Sequence, residues 1–280
     1  MTDITEQNVI DAEELFESGL SLCLMNKNEE AIIALKKALE LDPRISEAYN
    51  KLGDCLYKLG RMKEALENYL KCQELNPKNQ NNYYDLGRTY MALGDNEKAL
   101  ENFKIANNMK PQTDIHAFVG KIYFDMKQYE EALASFNNVL IENASHPMSA
   151  YYTARIYDLH GKTDKAKDFF TKVIEHFSKI IHNKSKATEG YYYIGKCHFY
   201  LGNYAEAVNF LQLAVDNDTD AIYNHYSFDM FYTDAEAFAS LAEAQSKLGR
   251  ISEAKENILK AIALEPNNQE LVNLKTKLGF

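Results

Sequence analysis

The 280-residue sequence predicts an all-α fold, a right-handed α-solenoid of about seven helix–turn–helix repeats with a C-terminal capping helix. Three observations predict it. The stretch Ser46–Pro77, SEAYNKLGDCLYKLGRMKEALENYLKCQELNP, returns about 34 residues later as QNNYYDLGRTYMALGDNEKALENFKIANNMKP, a period that marks stacked helix pairs. Within that unit the apolar residues recur at helical spacing. Small residues and prolines fall at fixed offsets, where helices must approach each other or end.

Each offset has a physical reason. With Ser46 as position 1, Tyr49, Leu52, Gly53 and Leu56 occupy positions 4, 7, 8 and 11 and form one buried stripe. Gly60, at position 15, follows that helix where a left-handed residue is needed, because a residue without Cβ takes positive φ at little cost. Gly53 and Ala65, at positions 8 and 20, are small so that two helices can come close. A larger side chain there overpacks the contact at about 1–3 kcal/mol. Pro77 cannot extend a helix and closes the unit.

The pattern of a bulky residue, Leu-Gly, Tyr, Ala, Phe, Ala and Pro at these offsets resembles the tetratricopeptide repeat family. Seven copies can be placed, beginning near Ala12, Ser46, Gln80, Thr113, Pro147, Thr188 and Ala235. Position 20 is alanine in all of them: Ala31, Ala65, Ala99, Ala132, Ala166, Ala207 and Ala254. Position 8 is small throughout, including Gly53, Gly87, Gly120 and Gly195. The resemblance implies a role in protein binding and brings no catalytic residue with it.

In chain order, residues 1–11 read as a polar N-terminal lead, with Asp11 and Glu14 at capping-box spacing and a first helix starting at Ala12. The array spans 12–268. Two insertions interrupt it, at 181–187 and 222–234. The first is compatible with a longer helix pair. The second carries Tyr223, Tyr226, Phe228, Phe231 and Tyr232, and it either adds core to the seventh copy or forms a loop that contacts a partner. Residues 269–280 read as the capping helix, with Leu271, Leu274 and Leu278 on one face.

Composition sets further bounds. At 26% charged and 46% hydrophobic the chain is typical of folded proteins, and its net charge of −10 argues against nucleic acid as a partner. The N-terminus lacks an apolar signal core and no run of apolar residues is long enough to span a membrane, so a cytoplasmic location is expected. Cys23, Cys55, Cys72 and Cys197 form no CxxC pair and no zinc spacing, and read as small hydrophobes in a reducing compartment. The seven histidines are scattered, and no nucleophile–base pair or phosphate loop can be located. No enzyme, cofactor or metal is expected.

The resemblance implies that positions 2, 5, 9 and 12 of the first helices line a concave face. Position 9 reads Leu20, Asp54, Arg88, Lys121, Arg155, Lys196 and Glu243, so four consecutive copies carry a cation in an acidic protein. Tyr84, Tyr151 and Tyr192 lie one turn before three of them, on the same face. Position 12 adds Tyr57, Met91, Phe124 and Phe199. The expected function is a protein-interaction adaptor whose groove binds an acidic, partly apolar partner segment. Two alternatives stay open: a subunit of a larger assembly that docks by its convex face or by 222–234, and a peptide-sensing regulator. Some family members clamp the C-terminal carboxylate of heat-shock chaperones with Lys, Asn and Arg at set positions. The first three copies supply Phe16, Leu20, Lys51, Asn81 and Asp85 there, so that clamp is absent.

Overall fold

The computed structural model describes residues 6–181, 187–216 and 232–280. Among the described residues there are fifteen helices and no strand. They are α1 Glu6–Leu24, α2 Asn28–Leu41, α3 Ser46–Lys58, α4 Met62–Leu75, α5 Gln80–Ala92, α6 Asn96–Met109 and α7 Thr113–Asp125 in a first compact unit that ends at Met126. A second unit begins at Lys127 and holds α8 Tyr129–Glu142, α9 Pro147–Leu159, α10 Thr163–Ile180, α11 Ala187–Tyr200, α12 Tyr204–Asp216, α13 Asp234–Lys247, α14 Ile251–Leu264 and α15 Gln269–Lys277. No helix among the described residues is long and apolar enough to cross a membrane.

Successive helices pack as hairpins: α1 with α2, α3 with α4 and α5 with α6 in the first unit, and α9 with α10, α11 with α12 and α13 with α14 in the second. The turn is set at position 15, which has positive φ even where it is not glycine. Gly60 has φ 71° and Gly94 79°, while Asn26 and Lys127 adopt 57° and 60°. The helices meet through a small-on-large contact. A Cβ on Gly53 would lie 2.6 Å from Tyr69 Cε1, one on Gly87 2.8 Å from Phe103 Cδ1, and one on Gly195 2.7 Å from Leu211 Cγ. Position 8 of α3, α5 and α11 therefore holds the space that the position-24 side chain of the following helix fills. All seven position-20 alanines are buried, and so are Leu35, Tyr69, Phe103, Phe136, Phe170, Leu211 and Ile258 at position 24.

Two starting points differ from the sequence expectation or fall outside it. The first helix begins before Ala12: α1 already runs at Glu6, and Asp11 lies inside it, accepting a hydrogen bond from Gln7 Nε2 at 2.7 Å instead of capping. Nothing between Glu6 and Ile10 breaks a helix, so the amphipathic turn extends backward from the first core residue. The run 222–231 and residues 182–186 lie outside the described residues. Of the aromatic run, Tyr232 is described: it is buried and stacks on Tyr192 at 4.0 Å. Then Thr233 opens α13 with a reciprocal capping box, its hydroxyl accepting from Glu236 N and its own N–H donating to Glu236 Oε2. Before the first insertion, α10 is 18 residues long against 14 for α8. At the C-terminal end, α15 lays Leu271, Leu274 and Leu278 on a core of Ala235, Ala239, Ala242, Ala254, Ile258 and Ala261.

Within the first unit, polar side chains join α3 to its neighbours. Tyr69 is buried, and its hydroxyl needs a partner, which it finds by donating to Asp54 Oδ1 at 2.9 Å. Lys51 Nζ donates to Asp54 Oδ2 at 2.9 Å, and Asn50 Nδ2 reaches across to Asp85 Oδ2 on α5, also at 2.9 Å. Burial and then the charge of Asp54 push the Asp85 carboxyl up to about 7, against the pull of Arg88, Asn50 and Lys51.

Two measurements check this packing. Gly87→Ala is expected to destabilise by about 1–3 kcal/mol despite alanine's better helix propensity, because Phe103 is stacked on Phe118 at 5.4 Å and cannot retreat. Thermal unfolding reads this as a lower Tm, and an unchanged Tm would refute the contact. The second concerns Asp85, whose folded value near 7 lies above the ordinary aspartate value of about 4. Between these pH values the folded chain holds a proton that the unfolded chain releases, so stability falls as pH rises through the window. Asp85→Asn removes this loss. Urea unfolding should find the variant more stable than wild type above about pH 7, by at most about 4 kcal/mol, with the gap closing below about pH 4.

Candidate functional site

The first helices carry the candidate residues, and each unit is described by itself. In the first, Arg88 projects from α5 with its guanidinium carbon 4.8 Å from the centre of the Tyr57 ring and 5.6 Å from that of Tyr84. Tyr84 is itself held edge-on by Phe103 and Phe118 at 6.2 and 5.9 Å. The Arg88 charge also acts on the Asp85 carboxyl and on Tyr69. One helix on, Lys121 bonds its own i+4 neighbour Asp125 at 2.6 Å. Met91 is buried, while Phe124 is half-buried. Arg88 and Lys121 thus stand beside carboxylates of the first unit.

The second unit sets its cations differently. Arg155, on α9, places its guanidinium carbon 4.2 Å from the centre of the Tyr200 ring and 6.0 Å from that of Tyr151, and Nη1 donates to the Tyr151 hydroxyl at 3.4 Å. Lys196, on α11, places Nζ 5.5 Å from the same Tyr200 ring and donates to Ser240 Oγ on α13 at 3.1 Å. Two cations from successive first helices therefore converge on one aromatic face. The ring is fixed from below, stacked on Phe170 at 5.4 Å and met edge-on by Phe199 at 5.6 Å. Burial raises the Tyr200 phenol to about 12, with Arg155 opposing and Glu243 and Asp158 adding to the rise. The hydroxyl stays neutral at physiological pH and can donate.

The position-5 tyrosines have a different role from the one their spacing suggests. Tyr151 and Tyr192 are buried, 4% and 6% exposed, so they support the face and do not present area to a partner. Tyr151 meets Tyr152 and Tyr193 edge-on, both at 5.2 Å, and Tyr192 lies under Tyr232. Burial lifts both phenols above the usual tyrosine range. The residue that sequence reasoning passed over is Tyr200. It sits at position 13, outside the chosen offsets, although its place four residues after Lys196 puts it on the same helix face. Among the described residues no group of three His, Cys, Asp or Glu side chains could hold a metal ion.

Four tetratricopeptide repeat family models match the chain, over residues 19–60, 120–179, 188–221 and 235–268. A model described as regulator of microtubule dynamics protein 1-3 matches residues 61–117. No curated protein matches the chain. Among solved structures, a tetratricopeptide repeat protein from Parabacteroides merdae ATCC 43184 is 18% identical with a TM-score of 0.68, covering 96% of this chain and 99% of that one. A chain of the APC/C hetero-tetramer Cut9-Hcn1 is 12% identical with a TM-score of 0.67, over 93% of this chain and 48% of that one. The human IFIT1 dimer with m7Gppp-AAAA is 18% identical with a TM-score of 0.69, over 95% and 63%. At these identities the likeness shows the fold alone. With repeat models matched along its length and repeat-type hairpins throughout, the chain belongs to the tetratricopeptide repeat family.

Proposed function

We propose that the chain is a protein-interaction adaptor whose first helices bind a partner segment bearing carboxylates and apolar anchors, with Arg155, Lys196 and Tyr200 as the main contact. Tetratricopeptide repeat proteins are generally protein-interaction scaffolds. The observation that carries the finer reading is the convergence of Arg155 and Lys196 on the single ring of Tyr200. A cation resting on an aromatic face keeps its formal charge and is held at defined height, and a guanidinium can still pair a carboxylate through two parallel N–H bonds. A phenol beside it offers apolar area and a hydroxyl with little side-chain entropy to lose. Arg88 and Lys121 hold the equivalent repeat positions in the first unit, where nearby carboxylates soften their pull on an anion. Phe124 and Phe199, both half-buried, supply apolar contact in their respective units.

A peptide array of acidic segments, each beside its Gln/Asn-neutralised copy, tests this proposal. The acidic peptides should bind better, and affinity should fall with added salt, since partly exposed charges are screened beyond about 8–10 Å at physiological ionic strength. The double variant Arg155→Ala, Lys196→Ala should weaken binding by about tenfold to a hundredfold per lost charge-assisted hydrogen bond, with the far-ultraviolet helix signal unchanged. Equal binding of neutralised peptides, or an unweakened variant, would overturn the assignment.

A further inference from the structure

Cys23 and Cys55, remote in the sequence, bring their Sγ atoms to 3.0 Å. Cys23 lies in the last turn of α1 and is half-buried, whereas Cys55 lies within α3 and is buried, and both are free thiols. They sit in neighbouring repeats whose first helices touch directly. A disulfide requires sulfurs about 2.05 Å apart, so the pair has about 1 Å left to close.

We propose that Cys23 and Cys55 form a redox-active pair that hydroperoxides convert to a disulfide, fastening the first helix pair to the second. The Cys23 thiolate attacks the peroxide: an S–O bond forms, the O–O bond breaks, and hydroxide leaves and is protonated to water. Cys55 sulfur then attacks the Cys23 sulfenic sulfur. The S–S bond forms, the S–O bond breaks, and the departing hydroxyl leaves as water with the Cys55 proton. Two thiols lose two electrons to one hydroperoxide, which is reduced to two waters when hydrogen peroxide is the oxidant.

The surroundings assign the two roles. The hydrogen bond from Cys55 lowers the Cys23 thiol to about 7 against the cost of burial, with Lys58 and Lys51 helping and Asp54 opposing. The Cys55 thiol is driven up by that same bond and by burial, so it stays protonated as the resolving partner. The remaining cysteines are an internal contrast. Cys72 is buried, donates to Asn82 Oδ1 at 3.1 Å and is pushed up to about 11, and Cys197 is buried with its thiol raised by desolvation. Reactivity follows thiolate character and access, and only Cys23 has both among the four. The consequence is mechanical. The crosslink ties α1 to α3, so the first helix pair can no longer open away from the second while it stands.

The test uses the full chain treated with hydrogen peroxide, blocked with an alkylating agent and mapped by peptide mass spectrometry. The expected product is a Cys23–Cys55 linked peptide with two thiols lost, restored by dithiothreitol. Hydrogen exchange in α1 and α2 should slow by about tenfold or more on oxidation. Cys23→Ser should abolish peroxide consumption, and the double variant Cys72→Ser, Cys197→Ser should still form the link. In Cys55→Ala a dimedone-reactive sulfenic acid should accumulate at Cys23. Oxidised wild type with four alkylatable thiols, with Cys23 oxidised but unlinked, or with Cys72 or Cys197 in the bridge would overturn the proposal, and this wild-type map decides even where a variant folds poorly.

Discussion

The contact between a bare position 8 and a large position 24 is the constraint on which four of the described hairpins depend. Leu35, Tyr69, Phe103 and Leu211 each occupy the space that a Cβ would take on Gly19, Gly53, Gly87 and Gly195. Dispersion falls off steeply with distance, so this close seating gains packing energy that a wider gap would forfeit. It also sets which faces are spoken for. Once positions 8, 20 and 24 point into the interior, position 9 falls beside them, and its cations Arg88, Lys121, Arg155 and Lys196 are half-buried. Face and hairpin core also meet at one point, where Asp54 at position 9 accepts from the Tyr69 hydroxyl at position 24.

Much of the fold was legible because each offset answers one physical demand, and seven alanines at position 20 cannot be satisfied by another architecture. Position 15 shows where legibility by residue type stops. Glycine marks it at Gly60 and Gly94, but Asn26 and Lys127 take the same left-handed backbone without glycine's freedom. Only the register of the repeat locates them. The start of α1 was not legible for a related reason: no proline or glycine stands between Glu6 and Ala12, so the helix runs back through Asp11 to Glu6. The extension of α10 follows the same logic, because the surplus residues met no proline or glycine before Ile180.

The site was legible in part. The cations at position 9 were visible as a row, but the row does not say what each cation rests on. Tyr200 was missed because it lies one residue beyond the offsets chosen for the face, and its importance comes from Arg155 of the preceding repeat as much as from Lys196 of its own helix. The burial of Tyr151 and Tyr192 depends on Tyr193 and Tyr232, neither of which belongs to the repeat pattern. The Cys23–Cys55 approach has the same character. Their separation is close to the repeat period, so they stand at matching heights on adjacent first helices, a proximity that a search for CxxC spacing cannot detect.

Equivalent repeat positions consequently carry unequal chemistry. Arg88 shares its surroundings with Asp54 and Asp85, and Lys121 is bonded to Asp125, so these charges are balanced within the chain. That balance has a cost, visible in the Asp85 carboxyl being pushed toward neutrality by burial and by Asp54. Arg155 and Lys196 share one phenolic ring, that of Tyr200, and Arg88 too lies over the rings of Tyr57 and Tyr84; a ring quadrupole attracts a cation by about 0.5–2 kcal/mol without cancelling its charge. An aromatic bed therefore fixes a cation at a defined height without neutralising it. Two cations from successive first helices share one ring at Tyr200, which is why the second unit is the stronger candidate for recognition.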